Sequence, residues 1–372
     1  MRLSLRIKYL WFYLKRQKFK TIYNYAWVYT LWWSKPIRKF LLNQLFPLLG
    51  VDIYPPFIEI EPTTVCHLRC IMCEHTYWRE PPRNMSFEEF EMIVDQFPKL
   101  KWAGLTGIGS SFLNKDFLKM IRYLKERSTI IEIIDSFNKP VNEEILKELI
   151  KIEPDILFVS IYGGSKETYE RICVGGNFDV VLENIKMFVR LRKKMKTLLP
   201  VLNFHYIVSR LNIHEIPDFL EFVDSLDTEV GEVLLTPLLH TFDEVKDLEI
   251  KLSEDNLRDA KAKAKELGIA LDYNLSVESE KWRLPKKPPI SNCVEWIMPF
   301  IFVTGHVVPC CVGNEANRRD FQKATSLGNI FNKSFKEIWY GDKYKKFREM
   351  IRKGEAPVQC HDCPIYTPNK NK

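Results

Sequence analysis

From residue 57 onward, short apolar runs and amphipathic stretches alternate along the chain. FIEIE (57–61), WAGLTGIG (102–109), TIIEIID (129–135), ILFVSIYGG (156–164), PVLNFHYIVS (200–209) and EVLLTPL (232–238) are short and rich in β-branched and aromatic residues. That pattern predicts buried strands. Between them, SFEEFEMIVDQF (86–97), KDFLKMIRYLKER (115–127), NEEILKELIKI (142–152), KETYERI with FDVVLENIKMFVRLRKKM, HEIPDFLEFVDSL (214–226) and SEDNLRDAKAKAKELG (253–268) repeat apolar residues three and four apart. These predict helices, with Ser86 as an N-cap and Gly268 as a terminator. Strand followed by helix, six times, predicts a parallel sheet with helices outside it. Six units fall short of the eight of a closed barrel. They fit an open barrel or a doubly wound sheet.

The ends of the chain read differently. Residues 1–50 are basic and aromatic, punctuated by Pro36 and Pro47, and predict two short helices. Near residue 275 the alternation stops. WRLPKKPPI (282–290) reads as a linker, FVTGHVVPC as a hairpin turning at Thr304–Gly305, and 334–354 as a helix. The chain therefore divides into an arm (1–50), a β/α core (51–275) and a small unit (276–372), the last of a size that a metal centre could organise.

Charge sharpens this division. The net charge is +7, but the first fifty residues carry ten Lys or Arg and no Asp or Glu, leaving 45 basic against 48 acidic residues elsewhere. The basic character belongs to one segment. Cations interleaved with Trp and Tyr have three readings: contact with an anionic membrane surface, which we favour; packing on the body or on a partner protein; and stacking on single-stranded nucleic acid, the least favoured. No apolar run is long enough for a membrane-spanning helix, and no secretory signal is expected. A cytoplasmic protein, peripheral at the inner face of the membrane, is the expectation.

The candidate chemistry lies in the cysteines. Nine are present, an odd number, with three packed into CHLRCIMC (Cys66, Cys70, Cys73) and five beyond residue 290. Clustered cysteines in a chain without a secretory signal read as metal ligands before disulfides. The first trio follows the first strand directly, at the end where β/α folds place their chemistry. Three thiolates on one loop suit an iron–sulfur cluster with one iron left open. Zinc, with His67 or His75 as a fourth ligand, is the alternative.

C-x3-C-x2-C after the first strand of a six-fold βα repeat resembles the radical S-adenosylmethionine (radical SAM) enzymes, over about residues 55–240. The resemblance implies a partial (β/α)6 TIM-like barrel and a [4Fe–4S] cluster on Cys66, Cys70 and Cys73. It implies SAM chelated to the open iron, one-electron cleavage to a 5′-deoxyadenosyl radical, hydrogen abstraction from substrate, and an electron donor such as ferredoxin or flavodoxin. Met72 stands where the family more often has an aromatic. LTGIGSSFLNKDF (105–117) resembles the family's second-strand loop, with Gly107 and Gly109 letting the backbone approach SAM. There Ser110–Ser111 replace the usual Glu–Pro, so the usual carboxylate contact to the SAM amino group is missing. In VSIYGGSKETYERICVGGNFDVVLENI (159–185), Ser160 matches the family's strand-end Ser, whose other reading is a plain strand-end hydroxyl. Tyr162 replaces a common Asp. Cys173 stands where many relatives carry Arg, and reads as a small buried apolar residue. The sequence leaves open whether Tyr162, His205 and Tyr206 handle protons.

Cys293, the Gly305 turn, Cys310 and the pair Cys360/Cys363 resemble the SPASM or Twitch extension of the same enzymes, as does LGNIFNKSFKEIW (327–339). This implies a small C-terminal iron–sulfur domain with one auxiliary [4Fe–4S] cluster on Cys293, Cys310, Cys360 and Cys363. Cys311 is the alternative to Cys310, and a zinc ribbon is the alternative to the cluster. The expected function is that of a radical SAM oxidoreductase or transferase acting on a peptide, a protein or a lipid-linked molecule. A non-catalytic metal-binding or nucleic-acid-binding module is the rival.

Overall fold

The computed structural model describes residues 3–28, 35–51, 53–138, 141–238, 243–273, 293, 295–310 and 319–360. The six predicted strands form: β1 (Phe57–Ile60), β2 (Trp102–Leu105), β3 (Ile130–Asp135), β4 (Ile156–Ser160), β5 (Val201–Ile207) and β6 (Val230–Thr236). Each pairs in parallel with the next in chain order. A doubly wound sheet would reverse that order partway. The strand order therefore selects the open barrel. A short seventh strand, β7 (Leu271–Tyr273), extends it beyond β6; three residues were too few to signal a strand.

The connecting helices form where the periodicity placed them, and local caps explain their starts. Ser86 accepts from the Glu89 amide while the Glu89 side chain answers the Ser86 amide, a reciprocal capping box. Asn142, Ser165 and Asn177 cap the helices Glu143–Ile152, Lys166–Ile172 and Phe178–Lys194. Gly268 follows the helix Arg258–Glu266 in the left-handed region, at φ +63°.

The C-terminal unit is not a separate body. Its first strand, β8 (Phe300–Ile301), adds in parallel to the free edge of β1, with Glu59 opposite Phe300 and Ile60 opposite Ile301. β9 (His306–Val308) and β10 (Gly328–Asn329) follow antiparallel, giving one ten-stranded sheet ordered β10-β9-β8-β1-β2-β3-β4-β5-β6-β7. The predicted turn between β8 and β9 is present, with Gly305 at φ +79°. The single helix expected over 334–354 is instead two, Phe335–Tyr340 and Asp342–Lys353. They are broken at Gly341, where a Cβ would lie 2.6 Å from the Glu337 carbonyl. The predicted linker (282–290) lies outside the described residues.

The arm holds more helix than the two segments predicted: α1 (Leu3–Lys15), α2 (Phe19–Trp27), and α3 (Lys35–Phe40) continuing through a wide turn into Phe46–Leu48. It crosses the end of the barrel where the strands begin. Tyr13 and Tyr25 donate to the buried carboxylate of Asp155, just before β4. The Asn24 side chain donates to the Ser128 carbonyl before β3, 2.8 Å away. Lys8 reaches Glu229 before β6, and Tyr9 and Tyr13 pack with Leu199 and Val201 at the start of β5. Further on, buried Arg38 pairs with Glu295 at 3.0 Å. Among the described residues no helix is long and apolar enough to cross a membrane.

Candidate functional site

The cysteine loop leaves the far, C-terminal end of β1, and ordinary hydrogen bonds hold it. Thr63 Oγ1 donates to Asn84 Oδ1 and accepts from the Val65 amide. Thr64 Oγ1 accepts from the Arg83 amide at 2.8 Å. Thr76 and Tyr77 donate to the carbonyls of Cys70 and Ile71. Arg69–Cys70 pairs as a two-residue ribbon with Cys173–Val174, setting Cys70 opposite Cys173. The loop is thus held by its own side chains, by Arg83–Asn84 and by Cys173–Val174.

Cys66, Cys70 and Cys73 are all free thiols. Burial pushes Cys66 up to about 11 and raises Cys73, and each responds to the charge of its neighbours in the trio. Cys70 is raised by a hydrogen bond with the Cys173 thiol and by burial. Thiols so placed become thiolates only when a cation binds, which is how a metal site couples to its ligands. Among the described residues no three Cys, His, Asp or Glu side chains converge closely enough for one metal ion. Three thiols on one loop fall one short of the four ligands of a structural zinc and suit an iron–sulfur cluster with one iron left open. His75, the other zinc-ligand candidate with His67, has its Nε2 on the Thr64 carbonyl at 2.9 Å, and burial lowers its basicity.

The loop after β2 lies against this one. A Cβ on Gly107 would stand 2.5 Å from Glu61 Cγ, and one on Gly109 would stand 2.5 Å from the Thr63 carbonyl oxygen. The room these glycines leave is filled by the cysteine loop's own root. Ser110 is buried, its amide on the Val65 carbonyl and its hydroxyl donating to Asp135 Oδ2 at 3.0 Å. Asp135 ends β3 and gathers the Ser110–Phe112 turn, also accepting from the Phe137 amide. Its burial outweighs these bonds and raises its pKa. Sequence reasoning passed over Asp135, although an Asp closing an apolar strand was the available signal.

Below the mouth, the concave face of the sheet carries several polar side chains. Ser160 is buried at the end of β4 and hydrogen-bonds Tyr162, whose hydroxyl burial keeps protonated. The Tyr162 ring meets His205 nearly edge-on at 6.3 Å. His205 Nε2 lies 2.8 Å from Thr236 Oγ1, and burial lowers its pKa to about 4, so the imidazole is neutral. Tyr206 faces the opposite way, its hydroxyl buried on the Asn212 carbonyl, which removes it from the candidates. Deeper still, the Glu132 carboxyl responds to Glu59 and Glu232 although the three strands are not neighbours, so all three face one lumen. Alternation within each strand was the missed signal.

The C-terminal cysteines are only partly described. Cys293 and Cys360 are buried and Cys310 is half-buried; Cys363 and Cys311 lie outside the described residues. Their unit is locked to the cysteine loop through Glu61, which is fully buried. Glu61 accepts from Arg319 at 2.9 Å and from the Val303 amide at 3.1 Å.

Two family models match the chain: the radical SAM superfamily over residues 60–223, and an iron–sulfur cluster-binding domain, SPASM, over residues 293–364. The chain is similar to the tungsten-containing aldehyde ferredoxin oxidoreductase cofactor-modifying protein of Pyrococcus furiosus. The two are 26% identical over 325 residues, covering 83% of this chain and 87% of that one. It is similar to the GTP 3′,8-cyclase of Limosilactobacillus fermentum, 26% identical over 196 residues, covering 51% of this chain and 57% of the cyclase. SuiB of Streptococcus suis, solved bound to S-adenosylmethionine, matches with a TM-score of 0.66 at 14% identity, over 88% of this chain and 79% of that one. That likeness is one of fold.

Proposed function

We propose that this chain, which belongs to the radical SAM superfamily and carries a C-terminal SPASM domain, modifies a peptide or protein by abstracting a hydrogen atom from it at the barrel mouth. It is an enzyme of that superfamily, and its cofactors are SAM and [4Fe–4S] clusters, one of them auxiliary. The observation that carries the reading is the cysteine loop hung over a polar lumen. When bound, the cluster supplies the one electron that splits SAM into methionine and the 5′-deoxyadenosyl radical that takes the hydrogen atom.

The chain's own residues do the rest. Cys66, Cys70 and Cys73 hold the cluster. Asp135 and Ser110 fix the neighbouring turn, with Gly107 and Gly109 allowing its close approach. Ser160, Tyr162 and neutral His205 form the polar wall that faces SAM and substrate. Cys293, Cys310, Cys360 and Cys363 hold the auxiliary cluster. The enzyme works in the cytoplasm, drawing its electron from a ferredoxin or flavodoxin.

A polypeptide substrate suits the architecture better than a lipid-linked one. The basic, aromatic arm crosses the end of the barrel where the strands begin, a strand length of about 15–20 Å from the mouth. A second reading has one observation behind it. Similarity to a cofactor-modifying protein runs along most of both chains, which favours a small cofactor as substrate.

The test is anaerobic reconstitution with iron and sulfide, then dithionite and SAM, against a Cys66→Ala/Cys70→Ala/Cys73→Ala variant. Wild type is expected to load about eight irons and release 5′-deoxyadenosine; the variant is expected to keep about four, on the auxiliary site, and to release no nucleoside. Zinc in place of iron, or full iron without nucleoside, would sink the proposal.

A further inference from the structure

Helix α1 has two apolar faces. Tyr9 and Tyr13 point into the barrel end and are buried at 5% and 3% exposure. On the other side Ile7, Leu10, Trp11 and Leu14, spaced three and four apart, form a stripe facing solvent, with Trp11 59% exposed. Phe19 at the start of α2 and Leu48 after α3 are 64% and 83% exposed. Of the fifteen large apolar side chains exposed among the described residues, eleven lie between residues 7 and 51. An apolar patch of this kind marks an interaction surface.

The charge around it chooses the partner. The first fifty residues contain no acidic side chain. The barrel's acids that the arm reaches are already engaged, Glu229 by Lys8 and Glu153 by Arg16. Lys15, Lys18, Lys20 and Lys39 are exposed, with no acidic partner among the described residues. The field continues onto the barrel, where Lys20 and Lys99 crowd Lys101. Exposed Trp and Leu set among unpaired lysines match an interface of acyl chains and anionic headgroups.

We infer that the outward face of the arm docks on the surface of a bilayer containing anionic phospholipid, its apolar stripe in the headgroup region and its lysines against the phosphates. The enzyme is then peripheral. With the arm at the strand starts and the cysteines at the strand ends, the mouth points away from the lipid. This inference stands apart from the radical chemistry and survives or fails without it.

The test is flotation of the full, cluster-loaded chain with vesicles of phosphatidylcholine alone or mixed with phosphatidylglycerol, at low and high salt. Wild type is expected to float with the phosphatidylglycerol vesicles and to be released by salt. A Trp11→Ser/Leu14→Ser chain, changed only at exposed positions, is expected to lose about tenfold or more in partitioning while its SAM cleavage is unchanged. A Lys15→Glu/Lys18→Glu/Lys20→Glu chain is expected to lose the salt-sensitive part. Failure to float with either vesicle overturns the inference, as does equal flotation of the Trp11/Leu14 variant. So does a salt-stable dimer that the same variant dissolves, or tighter binding to a single-stranded RNA oligomer than to vesicles.

Discussion

Gly109 has no room for a side chain, because the carbonyl oxygens of Thr63 and Val65 would lie 2.5 and 2.8 Å from its Cβ. Both belong to the root of the cysteine loop, so Gly109→Ala must push that loop aside, at about 1–3 kcal/mol. We expect a lower melting temperature and weaker retention of the cluster on Cys66, Cys70 and Cys73, read by melting and by low-temperature EPR. An unchanged signal would show that the loop has slack. Glu132 makes a second prediction. Burial, with Glu59 and Glu232 adding to it, pushes its carboxyl from 4.5 up to about 8. The folded chain therefore keeps a proton that the unfolded chain has lost, and this contribution to stability, complete below pH 4.5, fades as pH rises through 8. His205 runs the other way: lowered by burial from 6.5 to about 4, its contribution is present above pH 6.5 and lost as pH falls through 4. Of the two, only Glu132 acts between pH 6.5 and 8. Glu132→Gln should flatten the decline in melting temperature there, to a degree tempered by its contact with lumen solvent. Parallel slopes for the two proteins would show that Glu132 is ionised in the fold.

At the scale of elements, the β8–β9 turn fixes where Cys310 begins. Gly305 sits at φ +79°, and a Cβ there would meet the Phe331 ring at 2.4 Å. Gly305→Ala combines left-handed strain with a clash, so we expect about 1–3 kcal/mol of destabilisation and loss of auxiliary iron before the first cluster fails. Iron counted in a Cys66→Ala/Cys70→Ala/Cys73→Ala background would show it. The barrel strands were legible because each is a short apolar run followed by an amphipathic helix. So were the cysteine loop and the Gly305 turn, whose residue types are dictated by geometry. The β1–β8 pairing was not, because Phe300–Ile301 is too short to carry a period and its partner lies some 240 residues earlier. Nor was the ribbon that brings Cys173 against Cys70, since two-residue pairings leave no pattern. Glu61 read as one more strand residue; only its contact with Arg319 reveals it as the bolt between the two cluster-bearing units.

Across the whole molecule, one buried carboxylate gathers the contacts of both α1 and α2 with the barrel. Asp155 accepts from Tyr13, from Tyr25 at 3.2 Å, from Lys125 at 3.1 Å and from the Ile131 amide at 3.0 Å. Asp155→Ala should cost about 3 kcal/mol and free α1 and α2, so that trypsin clips the chain within residues 15–20 well before it cuts the barrel. Simultaneous cleavage of arm and barrel would mean that Asp155 supports the barrel and not the latch. The sheet has a similar dependence in time. Strand β1 is among the first parts of the barrel to leave the ribosome, yet the strand that covers its outer edge, β8, is made some 240 residues later. At ordinary rates of translation that is a wait of roughly 10–50 s. For that interval a buried strand type stands with its backbone groups unpaired, a template for the wrong neighbour. The nascent chain is therefore most exposed to aggregation beside the loop that must later take up iron, and truncation near residue 275 should yield insoluble protein where the full chain is soluble.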